Sequence, residues 1–351
     1  MNTQHITIHQ DKTLLEGLDQ MNKIHYVEQM SRLILFVFDN NQSIIGSITD
    51  GDIRRALVKT KSLDLKIGSI CNPNFHFEWF TDGYLDLSKY LKNDIKIIPL
   101  LDKNKRLVEV IDVSKKRAIL PLECVIMAGG RGKRLSPLTD SVPKPMLLLG
   151  DKPIIEHNID RLVSFGIKKI YISVKYLGEQ LEHYFGDGSS KGIKIEYIWE
   201  NEPLGTGGAL SLLQGCESKN LLVMNSDLFT DVNFEDLYLD LINENADMVV
   251  ASTEYKVDVP FAVFETKDHK VQSFKEKPSY IYHSNAGVYL FKTSLINKIP
   301  KNQFYNLTDL MEEIVQEGGK LIHNPILGYW IDIGSPIDYQ RAQEFIKHSR
   351  L

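Results

Sequence analysis

Cysteine is scarce in this sequence. Cys71, Cys124 and Cys216 are odd in number, widely spaced and without a nearby Cys/His set. That excludes a disulfide framework and the usual zinc spacings, and leaves thiols expected to behave as small buried hydrophobes. Long apolar runs are missing as well: no stretch reaches the roughly 18 residues a membrane span needs, and the opening MNTQHITIHQ is polar. The chain is therefore expected to be cytoplasmic, with no membrane partner. A basic excess is also absent. The formal net charge of -5 offers no field to attract a polyanion, which argues against a nucleic-acid partner. Any anionic substrate must be met by local positive charge.

At 351 residues the chain is too long for one ordinary core and suits two domains. Its first third holds a weak repeat with a period of about 60 residues. In the first copy LLEGLDQMNK reads as a helix, LILFVFD and IIGSIT as strands joined by the turn NNQS, and GDIRRALVK as a second helix. The second copy runs YLDLSKYLK, IKIIPLLD, KNKR and LVEVIDV. Boundaries are expected at 1–64, 65–118 and 122–351, with the basic SKKRAI and Pro121 marking the break. Beyond it, apolar strands alternate with amphipathic helices, as in DKPIIEHNIDRLVSFG followed by KKIYISV. This predicts an α/β domain with a doubly wound, Rossmann-like, mostly parallel sheet, its site at the carboxyl ends of the strands, preceded by a smaller α+β module.

The most informative stretch is VIMAGGRGKRLSPLTDSVPKPML, residues 125–147. Gly129, Gly130 and Gly132 let the backbone turn sharply so that N–H groups can converge on phosphate oxygens. Arg134 and Lys144 add positive charge, and Pro143 and Pro145 restrict the chain on either side of Lys144. The spacing is not that of a P-loop, because Gly132-Lys133 is followed by Arg134. It is not a dinucleotide fingerprint either, since Leu135 stands where the third glycine belongs.

GGRGKRLSPLTDSVPKP resembles, at full spacing, the GGxGxRLxPLTxxxPKP signature of the sugar nucleotidyltransferase family. The resemblance covers residues 122 to about 345. It implies transfer of a nucleoside monophosphate from an NTP to a sugar-1-phosphate with release of pyrophosphate, on a nucleotidyltransferase/GT-A-like fold. It further implies that Arg134 binds the triphosphate and that Lys144 bridges the α-phosphate and the sugar phosphate. A reaction that brings phosphates together calls for a hard divalent cation, Mg2+, on carboxylates. Asp227 ends the apolar run LLVMNSD, and Asp332 lies in YWIDIGSP. Both contexts are similar to the family's metal positions.

Three more segments resemble the family's substrate contacts. ENEPLGTGGAL looks like the loop packing on nucleotide and sugar, through Gly205, Thr206, Gly207 and Gly208. FKEKP implies Glu276 on sugar hydroxyls and Lys277 on the sugar phosphate, and SNAGVYLF implies Asn285 and Gly287 beside the sugar ring. PLGTGGAL with NAGVYLF is most similar to mannose-1-phosphate guanylyltransferase-like members, which favours GTP over UTP, dTTP or CTP. Many relatives continue into a hexapeptide β-helix, whereas this sequence ends with DYQRAQEFIKHSRL, so acyl transfer through such a domain is not expected. A homo-oligomer is expected.

In the first third, LFVFDNNQSIIGSITDGDIRRAL resembles the second half of a CBS motif, including Thr49 and Asp52. In that family such a pair contacts the phosphate and ribose of an adenine nucleotide, so AMP, ADP or ATP is the implied ligand. The second copy is expected to hold Val113 and Lys116 at the equivalent places, leaving at most one typical site. The alternative is a dimerising or stabilising module. Two rival activities stand beside nucleotidyl transfer. A nucleotide-sugar glycosyltransferase would use a D-x-D motif that Asn225-Ser226-Asp227 partly imitates, and a non-catalytic regulator would merely bind nucleotide.

Overall fold

The computed structural model describes residues 5–27 and 30–348. The chain divides into two compact units, Met1–Ile119 and Leu120–Leu351. Among the described residues no helix is long and apolar enough to cross a membrane.

The first unit is built from the expected repeat. Its first half contains β1 (Thr7–His9), α1 (Leu14–Val27), β2 (Ile34–Phe38), β3 (Ile44–Thr49) and α2 (Asp50–Thr60). Strand β1 is parallel to β2, and β2 is antiparallel to β3. The second half contains β4 (Glu78–Trp79), β5 (Leu85–Asp86), α3 (Ser88–Lys92), β6 (Ile97–Leu101), β7 (Leu107–Asp112) and β8 (Ala118–Ile119). Here β4 is parallel to β6 and β6 antiparallel to β7, the same arrangement. Leu65, Ile67, Ile70, Cys71 and Phe75 pack into the core around Phe36 and Ile48, so the first half runs past the expected boundary at 64.

The structure also shifts the correspondence between the two copies by one residue. Asp39 Oδ1 accepts the N–H groups of Asn41 and Ser43, and Asp102 Oδ1 accepts those of Asn104 and Arg106, so the two turns superpose on their aspartates. The bulges fall at the same place, Val37/Phe38 and Leu100/Leu101. Asp112, not Val113, is then the counterpart of Thr49, and Lys115 that of Asp52. Asp112 is buried and accepts hydrogen bonds from the backbone and hydroxyl of both Ser31 and Ser114. The second copy's cap is thereby closed by this chain's own Ser31.

The second unit centres on a seven-stranded sheet of order β13-β12-β9-β14-β19-β16-β20. It opens with β9 (Glu123–Met127), the small ladder β10 (Leu148–Leu149) and β11 (Lys152–Pro153), and α4 (Ile154–Ser164). Ile155, Ile159 and Leu162 are the buried stripe of α4, and Gly166 at φ +76 turns the chain after it. There follow β12 (Lys169–Val174), α5 (Gly178–Phe185), β13 (Lys194–Trp199), α6 (Gly205–Gly208), β14 (Asn220–Asn225), β15 (Leu228–Thr230) and α7 (Phe234–Asn243). The chain continues through β16 (Met248–Asp258), β17 (Val263–Lys267), β18 (Lys270–Lys275), β19 (Ser279–Lys292), α8 (Leu307–Gln316), β20 (Leu321–Pro325), β21 (Trp330–Asp332) and α9 (Pro336–His348).

Strands β13, β12, β9 and β14 form a parallel run, and β19 is antiparallel to both β14 and β16. The sheet is thus mixed and mostly parallel, and the apolar core of β14, Leu221 to Met224, is fully buried, as a covered parallel strand requires. Beyond the bulge at Val250/Ser252 the paired ends of β16 and β19 emerge from the core, with the β17–β18 hairpin between them in sequence.

Candidate active site

A cleft of about 480 Å³ lies where the carboxyl ends of β9, β13 and β14 converge. This is where an α/β sheet presents loops rather than paired backbone to a ligand. Gly129 and Gly130 leave β9, Glu200 follows β13, and Asn225 to Asp227 close β14; all of them line the cleft. The glycines there have distinct reasons. A Cβ on Gly129 would sit 2.5 Å from Glu200 Oε1, whereas one on Gly130 would meet nothing within 4 Å. Gly130 therefore borders open space that a phosphate can enter. Gly132 has φ +64, and a Cβ there would stand 2.9 Å from the Cβ of Lys144. Its bare backbone is what allows the lysine stem past the loop.

Lys144 opens a single helical turn after Pro143, is 9% exposed, and pairs its ammonium with the Asp227 carboxylate. Arg134 lies in the turn Lys133–Leu135, with its guanidinium against the backbone of Gly334. Asp332 is brought beside Asp227 by the β15–β21 ladder, in which Leu228 is opposite Asp332 and the N–H of Ile333 donates to Asp227 C=O at 3.0 Å. Desolvation, and then the Asp227 charge, push the Asp332 carboxyl above its ordinary value, while Lys144 and Arg134 pull it back. Two aspartates from distant parts of the sequence thus share one field.

Among the described residues no three His, Cys, Asp or Glu side chains form a metal cage. Two carboxylates with the remaining positions left to phosphate and water are the donor set Mg2+ takes in phosphate chemistry. The Lys144 ammonium resting on Asp227 shows that this position already draws a cation.

Of the other sequence-predicted residues, Gly205 and Thr206 line the cleft, with Gly205 at φ +78. Gly207 does not. It is buried and, with Gly208, donates its N–H to the carbonyl of Tyr305, which packs α6 closely on the start of α8. Glu276 and Lys277 sit in the exposed turn between β18 and β19 and do not line the cleft, because the strands that carry them have left the core. Asn285 Nδ2 donates to Tyr289 Oη and its Oδ1 accepts the Gly287 N–H. Gly287, at φ +74, packs where a Cβ would stand 2.6 Å from the amide nitrogen of cleft residue Asn225. Gly287 therefore packs behind Asn225, whereas Asn285 is exposed and does not line the cleft.

Three cleft or loop residues escape the sequence reading. Glu200 is buried, with Oε1 accepting from Ser173 Oγ at 2.5 Å and Oε2 from Leu204 N at 3.2 Å. Tyr176 donates to the carbonyls of Thr139 and Asp140 while its ring underlies Arg131, so it clasps the glycine loop. Phe304 brings an exposed ring to the cleft from the segment that leads into α8. Only Glu200 had a visible signal, an acid directly after a strand.

In the first unit, Thr49 and Asp52 line a separate cleft of about 300 Å³ together with Arg32, Arg55, His76 and Lys96. They also cap α2 reciprocally: Thr49 N–H and Oγ1 donate to Asp52 Oδ2 at 2.8 and 2.6 Å, and Arg55 pairs with Oδ1. Burial opposes ionisation of Asp52, but the bonds from Thr49 and then Arg55 outweigh it and hold the carboxyl below its usual value.

A mostly parallel sheet whose strand ends gather a glycine loop, two cations and two carboxylates defines a nucleotide-phosphate-handling α/β domain. The chain belongs to the nucleotidyl transferase family, whose model matches residues 123–349. A CBS domain model matches residues 1–59. Among the relatives is mannose-1-phosphate guanyltransferase beta-A of Xenopus laevis, 32% identical over 226 residues, or 62% of either chain. The mannose-1-phosphate guanylyltransferase of Mycobacterium tuberculosis is 31% identical over 228 residues, 63% of either chain. The chain thus spans less than two thirds of the length of these curated relatives. Among solved structures, HddC from Yersinia pseudotuberculosis complexed with GMP-PN is 25% identical with a TM-score of 0.51, covering 64% of this chain and 99% of that one.

Proposed function

We propose that the second unit joins an NTP, GTP by preference, to a sugar-1-phosphate and releases pyrophosphate. The observation that carries this reading is the convergence of the glycine loop, Arg134, Lys144 and Asp227 in one cleft, with Asp332 laid beside Asp227 by a strand ladder. In nucleotidyl transfer a sugar-phosphate oxygen attacks the α-phosphorus in line, a new P–O bond forms, and the bond to pyrophosphate breaks. The protein's contribution is positioning and charge neutralisation. Loop N–H groups and Arg134 hold the triphosphate, and Lys144 faces the α-phosphate. Asp227 and Asp332 would hold Mg2+, which supplies countercharge to the phosphate oxygens.

Glu200 supports the preference for guanine. A carboxylate offers acceptors only, and guanine presents two adjacent donors, N1–H and N2–H2, on its Watson–Crick edge. A matrix of GTP, ATP, UTP, CTP and dTTP against common sugar-1-phosphates, read by pyrophosphate release, tests both points. The highest kcat/KM is expected with GTP, and Glu200→Gln is expected to lower it about 10- to 100-fold by mismatching one donor. Turnover of a nucleotide-sugar donor instead, with no pyrophosphate, would establish the glycosyltransferase reading.

We also propose that the Thr49/Asp52 cleft binds an adenine nucleotide and biases activity. Its basic rim of Arg32, Arg55 and Lys96 suits phosphates. Coupling of about 1–3 kcal/mol is expected, and it must be reciprocal. Calorimetric titration of AMP, ADP and ATP should show binding to the wild type that Asp52→Ala loses, with matching changes in initial rate. Identical titrations for the two proteins would leave the pair as the cap of α2 only.

A further inference from the structure

We infer that Phe304 is the stacking platform for the nucleobase in this cleft. The inference rests on the reading of this cleft as a nucleotide site. Phe304 is 66% exposed, a costly condition for a large apolar ring, and it lines the cleft. It is also held in place. A Cβ on Gly205 would lie 3.2 Å from Phe304 Cε2, so glycine at that position makes room for the ring. The neighbouring Tyr305 N–H donates to Leu204 C=O at 2.9 Å, and Leu204 N–H donates to Glu200 Oε2. The aromatic segment is thereby tied by two hydrogen bonds to the carboxylate that reads the base.

Arg134, Lys144 and Asp227 are the charged groups that suit phosphates, whereas Phe304 lies against Gly205, which continues an uncharged stretch with Pro203 and Leu204. A flat, uncharged ring system with polar edges matches that stretch: its face meets Phe304 and its edge meets Glu200. Stacking is tolerant of base identity, so Phe304 supplies affinity and Glu200 supplies choice.

The test is calorimetric titration of GTP and of inorganic tripolyphosphate, which lacks a base, into the full-length wild type, Phe304→Ala and Phe304→Trp, with Mg2+ present. Phe304→Ala is expected to weaken GTP about tenfold and leave tripolyphosphate unchanged, while Phe304→Trp restores GTP affinity. Equal weakening of both ligands in Phe304→Ala would overturn the inference by showing general damage to the cleft. A rise confined to the KM of the sugar phosphate would overturn it too, placing the ring on the sugar. If the enzyme prefers a triphosphate other than GTP, the same experiment with that nucleotide still decides the point. In that case the guanine reading fails while the stacking role stands or falls by itself.

Discussion

Asp227→Ala is expected to lower kcat by about a thousandfold or more, with a smaller effect on the affinity for NTP. Asp227 carries two tasks at once. Its carboxylate pairs with the Lys144 ammonium, and with Asp332 beside it, it would hold the proposed cation. Loss of the residue removes countercharge at the reacting phosphates and leaves a buried lysine unpaired, and ion-mediated charge stabilisation alone is worth several kcal/mol. Asp332→Ala should follow in the same direction. The measurement is initial rate at saturating substrates across a Mg2+ titration. Near-normal turnover in either variant would remove these aspartates from the chemistry.

Lys144→Ala is the second large effect. A positioned cation that meets charge developing on the α-phosphate contributes mainly in the transition state, so kcat should fall by about 100- to 1000-fold while KM for either substrate moves little. Lys277 provides the contrast. The family resemblance implies a role on the sugar phosphate, but Lys277 lies in the exposed turn after β18 and does not line the cleft. Lys277→Ala should therefore keep kcat within about threefold, any loss falling on KM for the sugar phosphate. Steady-state kinetics in both substrates separates the two. A collapse of kcat in Lys277→Ala, with Lys144→Ala affected only in KM, would exchange the roles.

The glycine loop was legible because its residues are consecutive and each obeys a local rule: Gly132 needs a positive φ, and Lys144 is fixed by flanking prolines. Asp227 was legible as the end of an apolar strand. What the sequence hid were meetings between distant segments. Glu200 and Gly129 are 71 positions apart and touch only because β13 and β9 end on the same edge of the sheet. Nothing in the sequence marks Phe304, because its place at the cleft depends on lying against the distant Gly205. A glycine run likewise carries no mark of which member lines the cleft, as Gly205 does, and which packs on a helix, as Gly207 does. The offset in the second repeat arose for a related reason: strand patterns tolerate a one-residue slip, and only the Asp39 and Asp102 turns fix the alignment.

The reaction proposed for this cleft is attack by a sugar-phosphate oxygen on the α-phosphorus of an NTP. Phosphorus NMR of the reaction between GTP and a sugar-1-phosphate labelled with 18O in its non-bridging oxygens reads that event directly. The expected product is a nucleotide-sugar whose phosphorus-bridging oxygen carries the label, alongside a pyrophosphate that carries none. Label appearing in the pyrophosphate, or no product from these two substrates at any Mg2+ concentration, would contradict it.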